Sequence, residues 1–309
     1  MTDNLRIAIL GAGAMGGLYA WHFHRAPGFD VALVASGERA GRLRRDGLVV
    51  NGDPVAFQVF EPRREGEEPE PADLVIVAVK QHHLEQALDD VAPLVGEDTV
   101  FLSVLNGLDS EAVIAGRFGA GKVLYCIALA MDATREGNRI TFQQPGRLHF
   151  GEARNTPASA KVRRVQEMLD RAGLAWQTPE DMLHAMWWKF MVNVGINQAS
   201  AVMRASYGVF NQSADARALM DALIGEVIAV SGPAGVPLGQ TDLERWYEVL
   251  AGQPAAGKTS MLQDVEAGRA TEVDIFAGKV IELGERYGVE TPYNRAVYHI
   301  LRVLSGGTG

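Results

Sequence analysis

Cysteine is almost absent from this chain of 309 residues: Cys126 stands alone. No intramolecular disulfide is available, and a reducing compartment, the cytoplasm, is expected. Basic residues are outnumbered, 29 Lys and Arg against 38 Asp and Glu, for a net charge of −9. That balance argues against nucleic acid or an anionic membrane as partner. An anionic small molecule would need a locally positive pocket. No uninterrupted apolar run approaches the roughly 18 residues of a membrane span. The opening MTDNLRIAILGAGAMGG carries Asp3 early and glycines through its apolar part, so it does not read as a secretion signal. No CxxC or histidine-rich spacing points to a metal. Internal repeats are missing too. The biased tracts are a Pro/Glu-rich loop from Glu61 to Pro71 and the glycine-rich last residues.

What remains, 47% hydrophobic and 22% charged, describes an ordinary globular protein of about two domains. Arg6 to Leu10 is a short apolar run. Gly11-Ala12-Gly13-Ala14-Met15-Gly16 follows, then an apolar helical stretch to His24. Strand, glycine turn and helix form the setting in which GxGxxG binds a dinucleotide. Gly11 makes the turn, Gly13 admits the pyrophosphate, and Gly16 lets helix pack on strand. FAD would share the motif, so it names a nucleotide before a redox group. After a second strand, Asp30 to Ala35, comes Ser36-Gly37-Glu38-Arg39. Glu38 suits the ribose hydroxyls of NAD and Arg39 the 2′-phosphate of NADP, while Ser36 can bond either. NADP is the expectation, with NAD left open.

Further strands read at Leu48–Asn51, Val55–Phe60, Leu74–Val79 and Thr99–Val104, with a helix near Leu84–Val95. The continuous apolar Leu74–Val79 fits a strand buried on both faces of a parallel sheet. Lys80 and Asn106-Gly107 come directly after strands, where open α/β sheets bind ligands. From Lys122 to Gly151 a strand-rich stretch is expected to continue the sheet. Hairpins are placed around Glu136-Gly137-Asn138 and Pro145-Gly146. A helix, Ala158–Ala172, and a strand, Leu174–Gln177, complete a first domain over 1–178. Thr178-Pro179-Glu180-Asp181 reads as a helix start, opening a second domain over 179–309.

That second domain reads as all helix: Pro179–Met203, Ala214–Ala234, Thr241–Ala251, Ser260–Tyr287 and Tyr293–Leu304. In the first helix Lys189, Asn193 and Asn197 recur every four residues, one turn above the next. Trp187, Trp188, Phe190, Met191, Val192, Val194 and Ile196 surround them, so the helix is expected to be buried. A buried ammonium without partners costs several kcal/mol or loses its proton. The stripe therefore suits a polar ligand, or else a structural polar network. Ser260, Asp264, Gly268 and Glu272 form a second ladder, with Glu272 offering a countercharge to the lysine. His82, His83 and His149 could be general acids, but nothing in their spacing selects one.

Together, GAGAMG, Val79-Lys80, Asn106-Gly107, WWKFMVNVGIN and TSMLQDVEAGRATEVD resemble the ketopantoate reductases (2-dehydropantoate 2-reductases) over nearly the whole chain. The resemblance implies an α/β fold with an N-terminal Rossmann-like domain and an all-α C-terminal domain of the 6-phosphogluconate-dehydrogenase-like type. It implies NADPH-dependent reduction of the 2-oxo acid ketopantoate to pantoate, in pantothenate and coenzyme A synthesis. By the same resemblance Lys189 is the catalytic lysine and Glu272 an acid beside the nicotinamide. Asn106, Asn193, Asn197 and Ser260 bind substrate. Lys80, Asn106 and the backbone near Ala133 contact the cofactor. Two departures stand out. Ser36 takes the place of an arginine common in the family. Tyr207 falls where some members have a substrate-binding asparagine, and Gln198 where a small residue or proline is common. Alternatives remain: reduction of another 2-oxo acid, a 3-hydroxy acid or an imine on the same architecture, or a nicotinamide-sensing protein without chemistry. A homodimer is left open.

Overall fold

The chain is described by a computed structural model for residues 4–62 and 69–305. The centre of the acidic loop and both chain ends, including the glycine-rich tail, lie outside the described residues. Two compact units form, Met1–Leu105 with Asp109–Met182, and Asn106–Leu108 with Leu183–Gly309. The division falls at 182/183 rather than at 178/179, and a short piece after the strand Val100–Ser103 joins the second unit.

In the first unit, alternating runs of β-branched and aliphatic residues build an eight-stranded sheet. Its order is Ala175–Gln177, Arg147–Gly151, Val123–Leu129, Val100–Ser103, Leu74–Val77, Leu5–Leu10, Phe29–Val34 and Gln58–Phe60. Pairing is parallel from Val123–Leu129 to Gln58–Phe60. Arg147–Gly151 runs antiparallel beside Val123–Leu129. Leu74, Val75, Ile76 and Val77 are all fully buried, as a strand covered on both faces requires. This is the expected Rossmann-like α/β arrangement.

Four expectations for this unit need correction. Val55–Phe60 is not one strand: Asp53–Val55 and Gln58–Phe60 belong to different sheets, with Phe57 buried at the bend between them. The stretch 122–151 does not simply extend the main sheet either. Thr134–Glu136 and Arg139–Thr141 form a hairpin that joins Leu48–Val50 and Asp53–Val55 in a separate four-stranded sheet. Burial of Ile140 decides this, because its side chain fills the space left by the missing side chain of Gly17. Pro145-Gly146 is a turn leading into Arg147–Gly151, not a hairpin. Finally, Thr178-Pro179-Glu180-Asp181 starts no helix. Thr178 Oγ1 accepts a hydrogen bond from Gln166, Pro179 O accepts one from Asn155, and Asp181 pairs with Arg154.

The second unit is helical. Its long helices are Met182–Val192, Ala214–Ser231, Gln240–Ala251, Ala277–Tyr287 and Pro292–Leu304. A short helix, Tyr207–Gln212, has no counterpart in the sequence expectation. Trp187, Trp188, Phe190, Met191 and Val194 are buried in the core of this unit, so the all-round apolar helix is indeed interior. Ser260–Tyr287 is not one helix. Ser260–Glu266 ends at Gly268, whose φ of +63° is the left-handed conformation that glycine adopts without strain. A single 3₁₀ turn, Val273–Ile275, then precedes Ala277–Tyr287. Among the described residues no helix is long and apolar enough to cross a membrane.

Candidate active site

In the first unit, the strand Leu5–Leu10 runs into Gly11 at φ +95°. A Cβ on Gly11 would lie 2.6 Å from Ala78 O, and one on Gly16 would lie 1.8 Å from Gly11 O. The turn is closed upon itself, so both positions demand glycine. Gly13 differs, since a Cβ there would meet nothing within 4 Å. Gly13 caps the helix Ala14–Arg25 without any side-chain hydrogen bond. The first N–H groups of a twelve-residue helix therefore open onto free space, which suits a pyrophosphate. Ala12 is buried, while Ala14 and Met15 are half-buried at the rim.

Past the second strand, Ser36 is already engaged: its hydroxyl donates to the Asp90 carboxylate at 2.9 Å. Towards a nucleotide it offers lone pairs, which suit a ribose hydroxyl better than a phosphate. Glu38 and Arg39 are exposed on the helix Gly37–Asp46. Lys80 is exposed directly after the sheet strand Leu74–Val77 and its short extension. Ala133 leads into the hairpin strand Thr134–Glu136. Next to it, Arg135 reaches back so that its guanidinium donates to Ala12 O in the glycine turn and to Gly137 O at 2.8 Å. Burial, then the neighbouring Arg39 and Arg42, lower the pKa of Arg135. Burial, His82 and Arg39 likewise lower that of His83. Arg39, Arg42 and Arg135 thus make one cationic patch in an acidic chain, with the His82–His83 ring pair near Arg39.

In the second unit, Lys189 is half-buried on the helix Met182–Val192, between the buried Trp188 and Phe190. A π-helical turn, Asn193–Asn197, continues that helix. Asn197 Nδ2 donates to Asn193 Oδ1 at 3.3 Å, so the two amides of the stripe do come together. Ser260 is exposed in the first turn of its helix, beside Thr259, which caps that helix and lies 2.6 Å from Ser200 Oγ. Ser200 Oγ donates to Asn197 O at 3.0 Å, and this ties the Ser260 corner to the asparagine turn. Asp264 pairs with Arg269 on the surface at 2.8 Å. Glu272 does not share the helix of Ser260. It caps the 3₁₀ turn Val273–Ile275 and accepts a hydrogen bond from Asn106 Nδ2 at 2.9 Å. The supposed ladder Ser260–Glu272 is therefore a coincidence of spacing. The Tyr207 ring lies against the backbone of Gly257, and burial raises its pKa.

Sequence reasoning missed Arg135, Asp90 and Thr259. The Glu136-Gly137-Asn138 turn announces a hairpin, but nothing in it tells that its arginine folds back onto a glycine turn more than a hundred residues earlier.

Two family models cover most of the chain: "Ketopantoate reductase PanE/ApbA" matches residues 7–155, and "Ketopantoate reductase PanE/ApbA C terminal" matches 181–305. The chain belongs to the ketopantoate reductase family. As a ketopantoate reductase-type oxidoreductase it has curated relatives of matching length. The 2-dehydropantoate 2-reductase of Streptococcus pyogenes serotype M3 is 27% identical over 96% of both chains. That of Mesorhizobium japonicum is 29% identical over 97% of this chain and 98% of its own. Among solved structures, a D-mandelate dehydrogenase with NADH and anilino(oxo)acetate superposes with a TM-score of 0.86 at 23% identity, over 98% of both chains. The last likeness speaks for the fold.

Proposed function

We propose that this reductase transfers a hydride from NADPH to the ketone of a 2-oxo acid, converting 2-dehydropantoate (ketopantoate) to pantoate for pantothenate and coenzyme A synthesis in the cytoplasm. The lysine–asparagine stripe supports this reading most. Lys189 is half-buried between buried aromatics, and Asn193 and Asn197 are joined at 3.3 Å on the same helix. A 2-oxo acid presents a carboxylate and a carbonyl oxygen, and this stripe offers one cation and two neutral amides to them. The space over Gly13 and the uncapped helix Ala14–Arg25 fit a dinucleotide pyrophosphate.

When bound, the reduced nicotinamide supplies the hydride. Lys189 places a positive donor at the carbonyl oxygen, which gains negative charge only as the reaction proceeds. It then hands its proton to that oxygen as general acid. Asn193 and Asn197 orient the carboxylate without adding charge, and Ser260 closes the far side. Glu272, steadied by Asn106, restores the charge balance around the lysine.

Arg39, Arg42 and Arg135 favour NADPH, because three guanidinium groups this close call for a polyanion such as a 2′-phosphate. A second reading, NADH, has its own support in Ser36 and Asp90, whose pairing offers acceptors to ribose hydroxyls.

Oxidation of NADPH and NADH is followed in parallel with ketopantoate and with smaller and larger 2-oxo acids. The combination of NADPH with ketopantoate is expected to give a kcat/KM at least about tenfold above the others, a difference of about 1.4 kcal/mol in transition-state stabilisation. Arg135→Ala is expected to raise the NADPH KM and leave that for NADH nearly unchanged. Unchanged absorbance with every 2-oxo acid overturns the enzymatic reading in favour of a nicotinamide-binding protein without chemistry.

A further inference from the structure

The helix that carries the stripe is not α-helical throughout. Met182–Val192 is α, Asn193–Asn197 is π, and Gln198–Met203 is α again. In an α-helix the N–H of residue 198 would bond the carbonyl of Val194. Here that N–H goes to Gly195 O instead. The Gln198 side chain then supplies what its backbone gives up: Nε2 donates to Val194 O at 2.9 Å.

The same amide does two more things. Nε2 also donates to Asn294 Oδ1 at 3.0 Å, and Oε1 accepts from Ala277 N, at the start of the helix Ala277–Tyr287, at 3.0 Å. Asn294 is itself held, donating to Leu223 O at 3.3 Å and to Glu226 at 2.7 Å. Glu226 in turn accepts the backbone N–H groups of Tyr293 and Asn294. Gln198 and Asn294 are completely buried. Both protons and the oxygen of the Gln198 amide are therefore used, on three different segments. Close packing adds to this: a Cβ on Gly195 would lie 2.5 Å from the Ile224 side chain, so the π turn is pressed against the helix Ala214–Ser231.

We propose that Gln198 is a positioning residue, which locks the π turn so that Asn197 stays in line with Lys189 and Asn193 and faces the substrate with them. The proposal rests on the functional reading given above. A π turn differs from an α turn by one residue, so its collapse would rotate everything beyond it by roughly 100°. Asn197 would then turn away from the line of Lys189, eight residues back, while Asn193 keeps its place beside the lysine. Such π turns recur at functional sites and need a compensating bond for the displaced ladder. In this chain that bond comes from a side chain that touches neither substrate nor cofactor.

The test is Gln198→Met, which keeps the length of the side chain and removes all three hydrogen bonds. Three readouts separate positioning from mere core stability. The KM for the 2-oxo acid is expected to rise about tenfold while that for the dinucleotide stays within about twofold. Amide exchange over 194–198 is expected to quicken at least about tenfold, with the interior of Ala214–Ser231 unchanged. In an Asn197→Ala background, Gln198→Met is expected to add less than about twofold to that KM, because the two act through one arrangement. Should Gln198→Met not fold, Asn294→Ser loosens Gln198 from its far side and is expected to show the same KM split at about threefold. A fall in Tm with unchanged KM values, or exchange quickened evenly across the unit, overturns the proposal. Wild-type protein without turnover on any 2-oxo acid overturns the functional reading instead, and the exchange measurement still decides the role of Gln198.

Discussion

Asn106 Nδ2 donates a hydrogen bond to Glu272 Oε2 at 2.9 Å across 166 residues of sequence. Asn106 follows a strand of the parallel sheet, yet Asn106–Leu108 folds with the helical unit that carries Glu272. The two residues therefore meet although Asn106 follows a sheet strand and Glu272 precedes a 3₁₀ turn. The half-buried carboxylate is held by the neutral amide in a fixed direction.

Glu272→Gln keeps the shape and an oxygen for Asn106 while removing the charge. Tm is expected to change by less than about 3 °C, since the hydrogen bond survives. At the same time kcat is expected to fall at least about tenfold. Thermal unfolding and steady-state kinetics on one preparation check both. Wild-type kcat in this variant removes Glu272 from the reaction.

Lys189→Ala removes the proposed proton donor. Its kcat is expected to drop by about 10²-fold or more, with dinucleotide affinity within about twofold of wild type, because Lys189 lies on a helix of the second unit and the glycine turn in the first. Fluorescence titration with NADPH and single-turnover kinetics separate the two effects. Full turnover without the amine ends its assignment as general acid.

Gly13 and Gly16 are expected to behave oppositely. Gly13→Ala meets no protein atom, so Tm should hold, while dinucleotide affinity should weaken by about tenfold or more where the pyrophosphate needs that space. Gly16→Ala would place a methyl 1.8 Å from Gly11 O and is expected to lower Tm before any ligand is added. Tm with and without NADPH tests both; equal ligand stabilisation in Gly13→Ala and wild type contradicts the placement of the phosphates.

His22 gives a pH signature. Its ring is half-buried within the first unit, with Nδ1 3.3 Å from Ala172 O, and burial lowers its pKa below the ordinary 6.5 despite that bond. The unfolded chain then binds the proton more readily than the native one. The neutral ring contributes its stability above pH 6.5, and that contribution is lost as pH falls from there through the lowered native value. Denaturant unfolding from pH 8 to pH 5 is expected to show that decline in wild type and a shallower one in His22→Leu. Parallel curves would show that His22 titrates alike in both states.

Local signals were legible wherever the chemistry was local. GAGAMG, the buried run Leu74–Val77 and the aromatic casing of Lys189 all follow from neighbours within a turn or a strand. Thr178-Pro179 carried a good local helix start and was overruled, since Gln166 and Asn155, distant in sequence, took up its hydrogen-bonding groups. The long helix expected from Ser260 to Tyr287 failed at Gly268, where a glycine that a helix tolerates adopts a left-handed turn that ends it. The π turn left no trace in the pattern of apolar residues, because one inserted residue shifts the helical phase without changing composition.

By itself the sequence determined the nucleotide turn, the two-part architecture and which helix bears the polar stripe, for these depend on residue types at short spacing. Tertiary structure alone decided that Arg135 closes on Ala12, that Glu272 meets Asn106 and not Ser260, and that Gln198 bonds Asn294 and Ala277. Each of those is a hydrogen bond between segments far apart in the chain, and partners at that range are chosen by how whole elements pack, which no local spacing encodes.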